Sequence, residues 1–217
     1  MVNFSFTFKN LFSVLAISVL AQISYAQRAT QYDIALKDCS SKNGLQVYNS
    51  GCMDGVAPPD LSGKTLKGEL LQLKKLKGKV IVLNFWFIAC SPCRAEMPSL
   101  NKIASNFKDD DVVFISIATD KEADLVKFLG GNRFEFKTIA DTASIITQKS
   151  YHIRNFPTTI VIDKKGVINL FTQGSKDTET AIDKDLDENL VRSIDQCLGK
   201  KYIKNEKFTN TPTFYKF

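Results

Sequence analysis

The sequence contains one histidine, one tryptophan and no apolar run long enough to cross a bilayer as a helix. The apolar run Leu11–Ile23 covers 13 residues, whereas a spanning helix needs about 20. His152 is the only histidine and there is only one Cys-X-X-Cys pair, so the sequence does not show the two closely spaced ligand pairs typical of a four-ligand zinc site. Repeats and low-complexity segments are absent from the sequence, and the composition excludes a disordered, collagen-like or coiled-coil chain.

The remaining composition is that of an ordinary globular protein. The chain has 217 residues, of which 44% are apolar and 24% charged, which predicts one domain with a sizeable core. The net charge of +6 is a small excess, although Lys74, Lys75, Lys77 and Lys79 form a basic stretch that could attract an anionic partner. Because such charge runs are mostly solvated surface, we expect no nucleic-acid binding.

Residues 1–26 have the pattern of a secretory signal peptide. One charge, Lys9, precedes the apolar run, and Ser24 and Ala26 supply the small side chains that a signal peptidase needs. Cleavage is expected after Ala26, which predicts a periplasmic or otherwise extracytoplasmic bacterial protein. The alternative is an uncleaved N-terminal anchor, which would keep the protein at the membrane. No cysteine directly follows the apolar run, so a lipid anchor is not expected.

All five cysteines follow this segment, and export makes disulfides possible. Cys39 and Cys52 lie in a polar N-terminal extension, residues 27–56, and a bridge between them is predicted. Closing a loop of this length stabilises a fold by roughly 3 kcal/mol. Two free thiols or a metal site are the alternatives. Cys197 lies on the apolar stripe of the last predicted helix and is interpreted as a small buried residue.

Residues 57–199 alternate between strand and helix patterns, and residues 200–217 form a polar tail. Val80–Phe87 and Val112–Ala118 are continuous apolar runs, as expected for central strands covered on both faces. Apolar residues at helical spacing lie between them, so strand, helix and strand predict a parallel crossover and an α/β fold. Further helices are predicted over Glu122–Leu129, Thr142–Tyr151 and Thr178–Leu198, and a hairpin over Thr158–Ile162 and Val167–Phe171.

The Cys-X-X-Cys pair stands where the first buried strand gives way to a helix. Two intervening residues let one helical turn bring the sulfurs of Cys90 and Cys93 to about 2 Å with little backbone movement. Unpaired N–H groups at the helix N-terminus favour the thiolate of Cys90, which makes it the attacking sulfur. Cys93 lies one turn further in and suits the resolving role. A permanent disulfide or half of a zinc site is the alternative, but the sequence context favours redox chemistry.

Several separate motifs between Ala57 and Leu198 resemble those of one family. They are Ala57-Pro58-Pro59-Asp60, Leu76-Lys77-Gly78-Lys79-Val80, Asn84-Phe85-Trp86, the run from Cys90 to Pro98, Phe156-Pro157-Thr158-Thr159 and Ile162-Asp163-Lys164-Lys165-Gly166. Together they resemble the thioredoxin-like proteins of the TlpA/ResA type, which are exported bacterial thiol-disulfide oxidoreductases. The resemblance implies a thioredoxin-like fold with a mixed central sheet flanked by helices. The residues between Ala118 and Asp141 look like the central insertion of this type.

The resemblance also implies roles for residues around the cysteines. Pro157 would be a cis-proline that faces the Cys-X-X-Cys pair, and Phe156 would offer its backbone to an extended substrate. Trp86 and Pro92 would complete the substrate-binding surface. Glu96 matches the acidic residue of the family's active-site helix and would handle protons for the cysteines.

Two positions depart from related patterns. Asn84 stands where plain thioredoxins carry a buried Asp, which leaves Glu96 as the expected proton handler. Ala89 stands where the family usually has a Trp immediately before the first cysteine, so a large aromatic rim is missing from the site. A hydrolase built on Cys90 would need His152 as its base, and nothing else in the sequence supports that chemistry.

The predicted activity is thiol-disulfide exchange, without a cofactor beyond the Cys90–Cys93 disulfide and without a metal. The resemblance implies protein disulfide substrates such as apocytochrome c and a membrane thiol donor of the CcdA/DsbD kind. A disulfide-forming oxidase is the alternative. Copper handling would favour a longer Cys spacing with a placed His, and a peroxiredoxin-like peroxidase would have Thr where this chain has Phe87. A non-catalytic binding module is the remaining possibility.

Overall fold

The computed structural model describes residues 31–39 and 51–203. Its elements in chain order are α1 (residues 31–39), β1 (Ser62–Lys64), β2 (Leu70–Gln72), a 3-10 helix (Leu73–Leu76), β3 (Val80–Trp86), α2 (Ser91–Asn106), β4 (Val112–Ala118), α3 (Glu122–Gly131), β5 (Lys137–Ala140), a π-helical segment (Ile145–Ser150), β6 (Thr158–Ile162), β7 (Ile168–Gln173), α4 (Glu179–Leu186), a second π-helical segment (Asp187–Val191) and α5 (Arg192–Leu198). No helix in this part of the chain is both long and apolar enough to span a bilayer.

A five-stranded mixed sheet in the order β5-β4-β3-β6-β7 forms the centre of the domain. The strands β3, β4 and β5 run parallel, whereas β6 is antiparallel to β3 and to β7. The predicted strand, helix and strand over residues 80–118 correspond to β3, α2 and β4. A second crossover, β4, α3 and β5, follows within the expected insertion. The prediction of an α/β fold with a mixed central sheet flanked by helices is confirmed.

Burial of β3 on both faces explains its continuous apolar sequence. Successive side chains of a strand point to opposite faces. Ile81, Leu83 and Phe85 join a core cluster with buried residues of α1 and of the β1–β2 hairpin. Val80 and Val82 join a second cluster with apolar side chains of α2, α4 and α5. The strand therefore has no solvent-facing side, and its exit point is set by packing from both sides.

The described part of the N-terminal extension packs against the domain. Tyr32 and Cys39 on α1 are buried in the first cluster, and the Tyr32 hydroxyl donates a 2.9 Å hydrogen bond to the Tyr151 carbonyl. Cys39 is joined by a disulfide to Cys52, with the two Cα atoms 5.8 Å apart. The predicted signal peptide and residues 204–217 of the tail lie outside the described residues.

Three local elements differ from the sequence-based expectation. The helix predicted over residues 142–151 is the π-helical segment Ile145–Ser150, whose first N–H groups are bound by the Asp141 carboxylate. The last predicted helix contains a π-helical segment between α4 and α5. The β1–β2 hairpin was not predicted, because its strands are three residues long and half exposed.

Substitution of Tyr32 tests how α1 is attached. Tyr32→Phe should lower the free energy of unfolding by about 1 kcal/mol, because the buried Tyr151 carbonyl loses this donor. Ile34→Ala on the same helix, at a side chain 57% exposed, is the control and should change it by less than about 0.5 kcal/mol. Urea denaturation measures both. Equal effects of the two substitutions would contradict the role given to the hydroxyl.

Candidate active site

The cysteine pair lies where β3 ends and α2 begins. Cys90 is the N-cap of α2, and its Sγ accepts a hydrogen bond of 3.2 Å from the Cys93 N–H. Pro92 occupies the first turn of the helix, where the missing N–H has no helical partner to lose. The two sulfurs are joined in a disulfide, and the Cα atoms are 5.3 Å apart. This Cα separation lies within the range that a disulfide needs.

The two cysteines differ in what they face. Both are almost fully buried, at 5% and 3% exposed, but Cys90 lines an open cleft of about 510 Å³ and Cys93 does not. Cys93 instead packs in a cluster with Met97, Leu125 and Trp86. An incoming sulfur in the cleft therefore meets Cys90 first, with Cys93 behind it.

An aromatic pair and several neutral polar groups form the walls of the cleft. Phe87 and Phe156 pack edge to face with ring centroids 5.2 Å apart. Phe87 thus supplies an aromatic surface close to Ala89, where the expected Trp is missing. The residues that line the cleft are Phe87, Ala89, Cys90, Ser91, Pro92, Arg154, Asn155, Phe156, Gln173 and Gly174. Sequence reasoning missed Phe87, Arg154, Asn155 and Gln173, because only the fold brings them to Cys90.

The loop that carries Phe156 is tied to the end of the sheet. The Phe156–Pro157 peptide bond is cis, and the Pro157 carbonyl accepts a 2.7 Å hydrogen bond from the Gly174 N–H. The Thr158 hydroxyl donates to the Asn155 carbonyl at 2.6 Å. These bonds place the backbone before β6 at the edge of the cleft, with Phe156 half-buried and Pro157 buried.

Trp86 does not contact the cleft, which corrects its expected place on the substrate surface. Its side chain is 0% exposed, and its ring lies 5.9 Å from the rings of both Phe128 and Phe134. The residue is the last of β3 and points to the face that α3 and the following segment cover. Trp86 therefore packs in the same buried cluster as the two cysteines, on the interior side of the site.

Glu96 lies one helical turn after Cys93 on the buried side of α2. It is 5% exposed, and this burial raises the pKa of its carboxyl from 4.5 to about 8. The nearby Ser175 hydroxyl lowers this pKa in part, and the nearby Asp185 charge raises it further. Positions three apart on a helix are neighbours, so Glu96 lies on the same helix face as Cys93. Its carboxyl can exchange a proton near neutral pH.

Two other polar residues make hydrogen bonds that hold β3 and the segment between β3 and Cys90 in place. Asn84 is 2% exposed and its amide donates to the Thr159 hydroxyl at 3.1 Å, which joins β3 to β6 through neutral groups. Asp120 accepts a 2.8 Å hydrogen bond from the Ile88 N–H and so holds the segment just before Cys90. Sequence reasoning could not identify Asp120, because the contact joins residues 32 positions apart.

The remaining candidates lie away from the cleft. The His152 Nε2 is 3.1 Å from the Asp33 carboxylate on α1, and both side chains are exposed. Cys197 is partly buried at the edge of the second cluster, and burial raises the pKa of its thiol to about 11. Within residues 31–39 and 51–203, no group of three or more His, Cys, Asp or Glu side chains is placed to hold a metal ion.

The fold and the site together define a class of protein, the thioredoxin-like oxidoreductases. The thioredoxin domain of a thiol-disulfide oxidoreductase from Bacteroides vulgatus superimposes with a TM-score of 0.51 and 31% identity, covering 56% of this chain and 89% of that one. Residues 55–171 match the AhpC/TSA family, and the chain belongs to that family.

Two relatives define more narrowly the type of thioredoxin-like protein to which the chain belongs. The thioredoxin-like protein YneN of Bacillus subtilis is 34% identical over 66% of this chain and 88% of its own length. The thiol-disulfide oxidoreductase ResA of Halalkalibacterium halodurans is 31% identical over 74% of this chain and 86% of its own. The resemblance to the TlpA/ResA type is confirmed, and the chain is a thiol-disulfide oxidoreductase.

The pH dependence of stability tests the environment of Glu96. Between pH 4.5 and 8 the unfolded chain has lost this proton while the folded protein retains it, so stability falls as pH rises through that window. Glu96→Gln removes this fall. The oxidised variant should therefore gain stability relative to the unsubstituted protein from pH 5 to pH 8, on the order of 2–4 kcal/mol.

Urea denaturation at a series of pH values measures this difference. Glu122→Gln is the matched control, because Glu122 is exposed on α3 and its substitution should give a difference that does not change between pH 5 and 8. Parallel stability curves for Glu96→Gln and the unsubstituted protein would contradict the raised pKa.

Proposed function

We propose that this oxidoreductase is exported and reduces disulfides in extracytoplasmic partner proteins through the Cys90–Cys93 couple. The observation that carries the proposal is the asymmetry of the pair. Cys90 caps α2 and lines the cleft, whereas Cys93 lies one turn further into the helix and does not line it. An attacking and a resolving sulfur need these two environments.

The first step is attack by the Cys90 thiolate on a partner disulfide. A bond forms between Cys90 Sγ and one partner sulfur, the partner's S–S bond breaks, and the second partner sulfur leaves as a thiolate that takes a proton from water. The N-terminus of α2 stabilises the Cys90 thiolate beforehand, because its free N–H groups and dipole favour an anion. The Cys93 N–H, which already points at Cys90 Sγ, is one such donor.

The second step closes the Cys90–Cys93 disulfide. The ionised fraction of Glu96 accepts the proton of Cys93 and later releases it to water. The resulting Cys93 thiolate attacks Cys90 Sγ, and the partner leaves as a thiolate with both of its sulfurs reduced. A carboxyl whose pKa is raised to about 8 by burial can take up and release a proton near neutral pH. The pair then needs two electrons from a thiol donor before the next cycle.

The cleft supplies the binding surface for the partner chain. Phe156 and Pro92 border Cys90, and the cis bond before Pro157 presents the backbone of Phe156 at the cleft edge. We assign these three residues to substrate positioning. Phe87 adds an apolar wall that compensates for the small side chain of Ala89. No cofactor beyond the disulfide has a role in this scheme.

The proposed location and partners follow from the N-terminal pattern and the resemblance to ResA-type proteins. Residues 1–26 carry the pattern of an export signal, and stable disulfides such as Cys39–Cys52 persist mainly in compartments outside the cytoplasm. Apocytochrome c is the proposed substrate class, and a membrane thiol donor of the CcdA/DsbD kind is the proposed source of electrons. The Cys39–Cys52 bridge is proposed to be a permanent structural disulfide, since it closes the extension at a distance from the cleft.

Insulin reduction with dithiothreitol tests the activity. Cys90→Ser should reduce the rate to the uncatalysed background, because no sulfur remains at the cleft. Cys93→Ser should retain the first attack but not the second, so once it has been reduced and freed of dithiothreitol it should accumulate a mixed disulfide with insulin that mass spectrometry detects. Cys197→Ser is the control and should keep the unsubstituted rate within about twofold. Turnover that does not depend on Cys90 would contradict the proposal.

A further inference from the structure

The cleft beside Cys90 carries one permanent charge. Among the described residues that line it, Arg154 alone is ionised and the others are apolar or neutral. Arg154 is exposed, and none of the ion pairs formed within residues 31–39 and 51–203 includes it. Its guanidinium is therefore available to an anionic group that enters the cleft.

The backbone that carries Arg154 is held on both sides. The preceding residue, Ile153, is 1% exposed, and its N–H donates to the Thr147 carbonyl at 2.8 Å. The following residue, Asn155, accepts from the Thr158 hydroxyl through its carbonyl at 2.6 Å, and its side chain reaches Gln173 at 3.3 Å. Because these contacts restrain both neighbours, the backbone of Arg154 is held beside the cleft, and its side chain starts from a fixed point at the cleft wall.

Arg154 shares this cleft with the reacting sulfur and with an apolar surface. Phe156 is two residues further along the same loop, and its ring packs on Phe87. A partner chain whose disulfide reaches Cys90 must therefore place the residues next to its cysteine among one cationic and two aromatic side chains. An arginine binds a carboxylate through two parallel hydrogen bonds and repels a lysine or arginine.

We infer that Arg154 is a specificity-determining residue that selects partner disulfides flanked by an aspartate or glutamate. The inference deepens the proposed function and rests on it. The aromatic pair accepts an apolar neighbour of the same cysteine, so the preferred segment combines an acidic and an apolar residue around its disulfide. Arg154 takes no part in the exchange of sulfurs itself.

The test uses three disulfide-linked peptides that differ only in the residue beside the cysteine, which is Glu, Gln or Lys. Single-turnover rates with the dithiol form of the full protein give a Glu-to-Lys ratio. This ratio should be about fivefold to tenfold at low ionic strength and should fall toward one in high salt. Arg154→Gln should bring the ratio below about twofold, Arg154→Glu should invert it, and Arg154→Lys should retain most of it.

Arg94→Gln is the matched control. Arg94 is exposed on α2, four residues after Cys90, but does not line the cleft, so its removal should leave the ratio unchanged. If Arg154→Gln slows all three peptides equally, the arginine acts on the Cys90 thiolate and the inference is overturned. Equal rates for the three peptides with the unsubstituted protein would overturn the inference and leave the proposed function standing. Failure to reduce any of them would overturn both.

Discussion

The burial of β3 on both of its faces determines where α2 begins, and with it the place of Cys90. Every residue of Val80–Trp86 is buried. Apolar side chains on the two faces of the strand pack into two different core clusters. The chain leaves this packing after Trp86, turns within three residues, and starts α2 with Cys90 as its cap. A sulfur at this point meets both a cleft and a helix N-terminus, which no position inside the strand or the helix provides.

The same packing separates the environments of the groups that react. One turn into α2, Cys93 is enclosed by Met97, Trp86 and Leu125, and Glu96 follows on the buried side. Burial keeps Cys93 away from partner sulfurs until Cys90 has engaged one, and it holds a proton on Glu96 near neutral pH. All three side chains are almost fully buried, so the order of the two steps follows from position: Cys90 lines the cleft and Cys93 does not.

The strongly patterned elements were predictable from the sequence, and the walls of the cleft were not. Continuous apolar runs gave β3 and β4, helical spacing gave α2, and the Cys-X-X-Cys pair at their junction gave the reacting sulfurs. Phe87 and Arg154 carry no such signal, because they meet at the cleft only after β6 has paired with β3. Trp86 was misplaced for a related reason, since only the position of α3 decides that its side of the strand is covered.

The most direct test of the account is alkylation mass spectrometry of the protein equilibrated in glutathione buffers. The account predicts that Cys90 and Cys93 become alkylated together as the buffer becomes reducing, while Cys39 and Cys52 remain joined. The midpoint should lie nearer to the value of thioredoxin, about −270 mV, than to that of DsbA, about −120 mV. A Cys90–Cys93 disulfide that stays closed at every redox potential of the buffer, or opens only together with the Cys39–Cys52 bridge, would contradict the account.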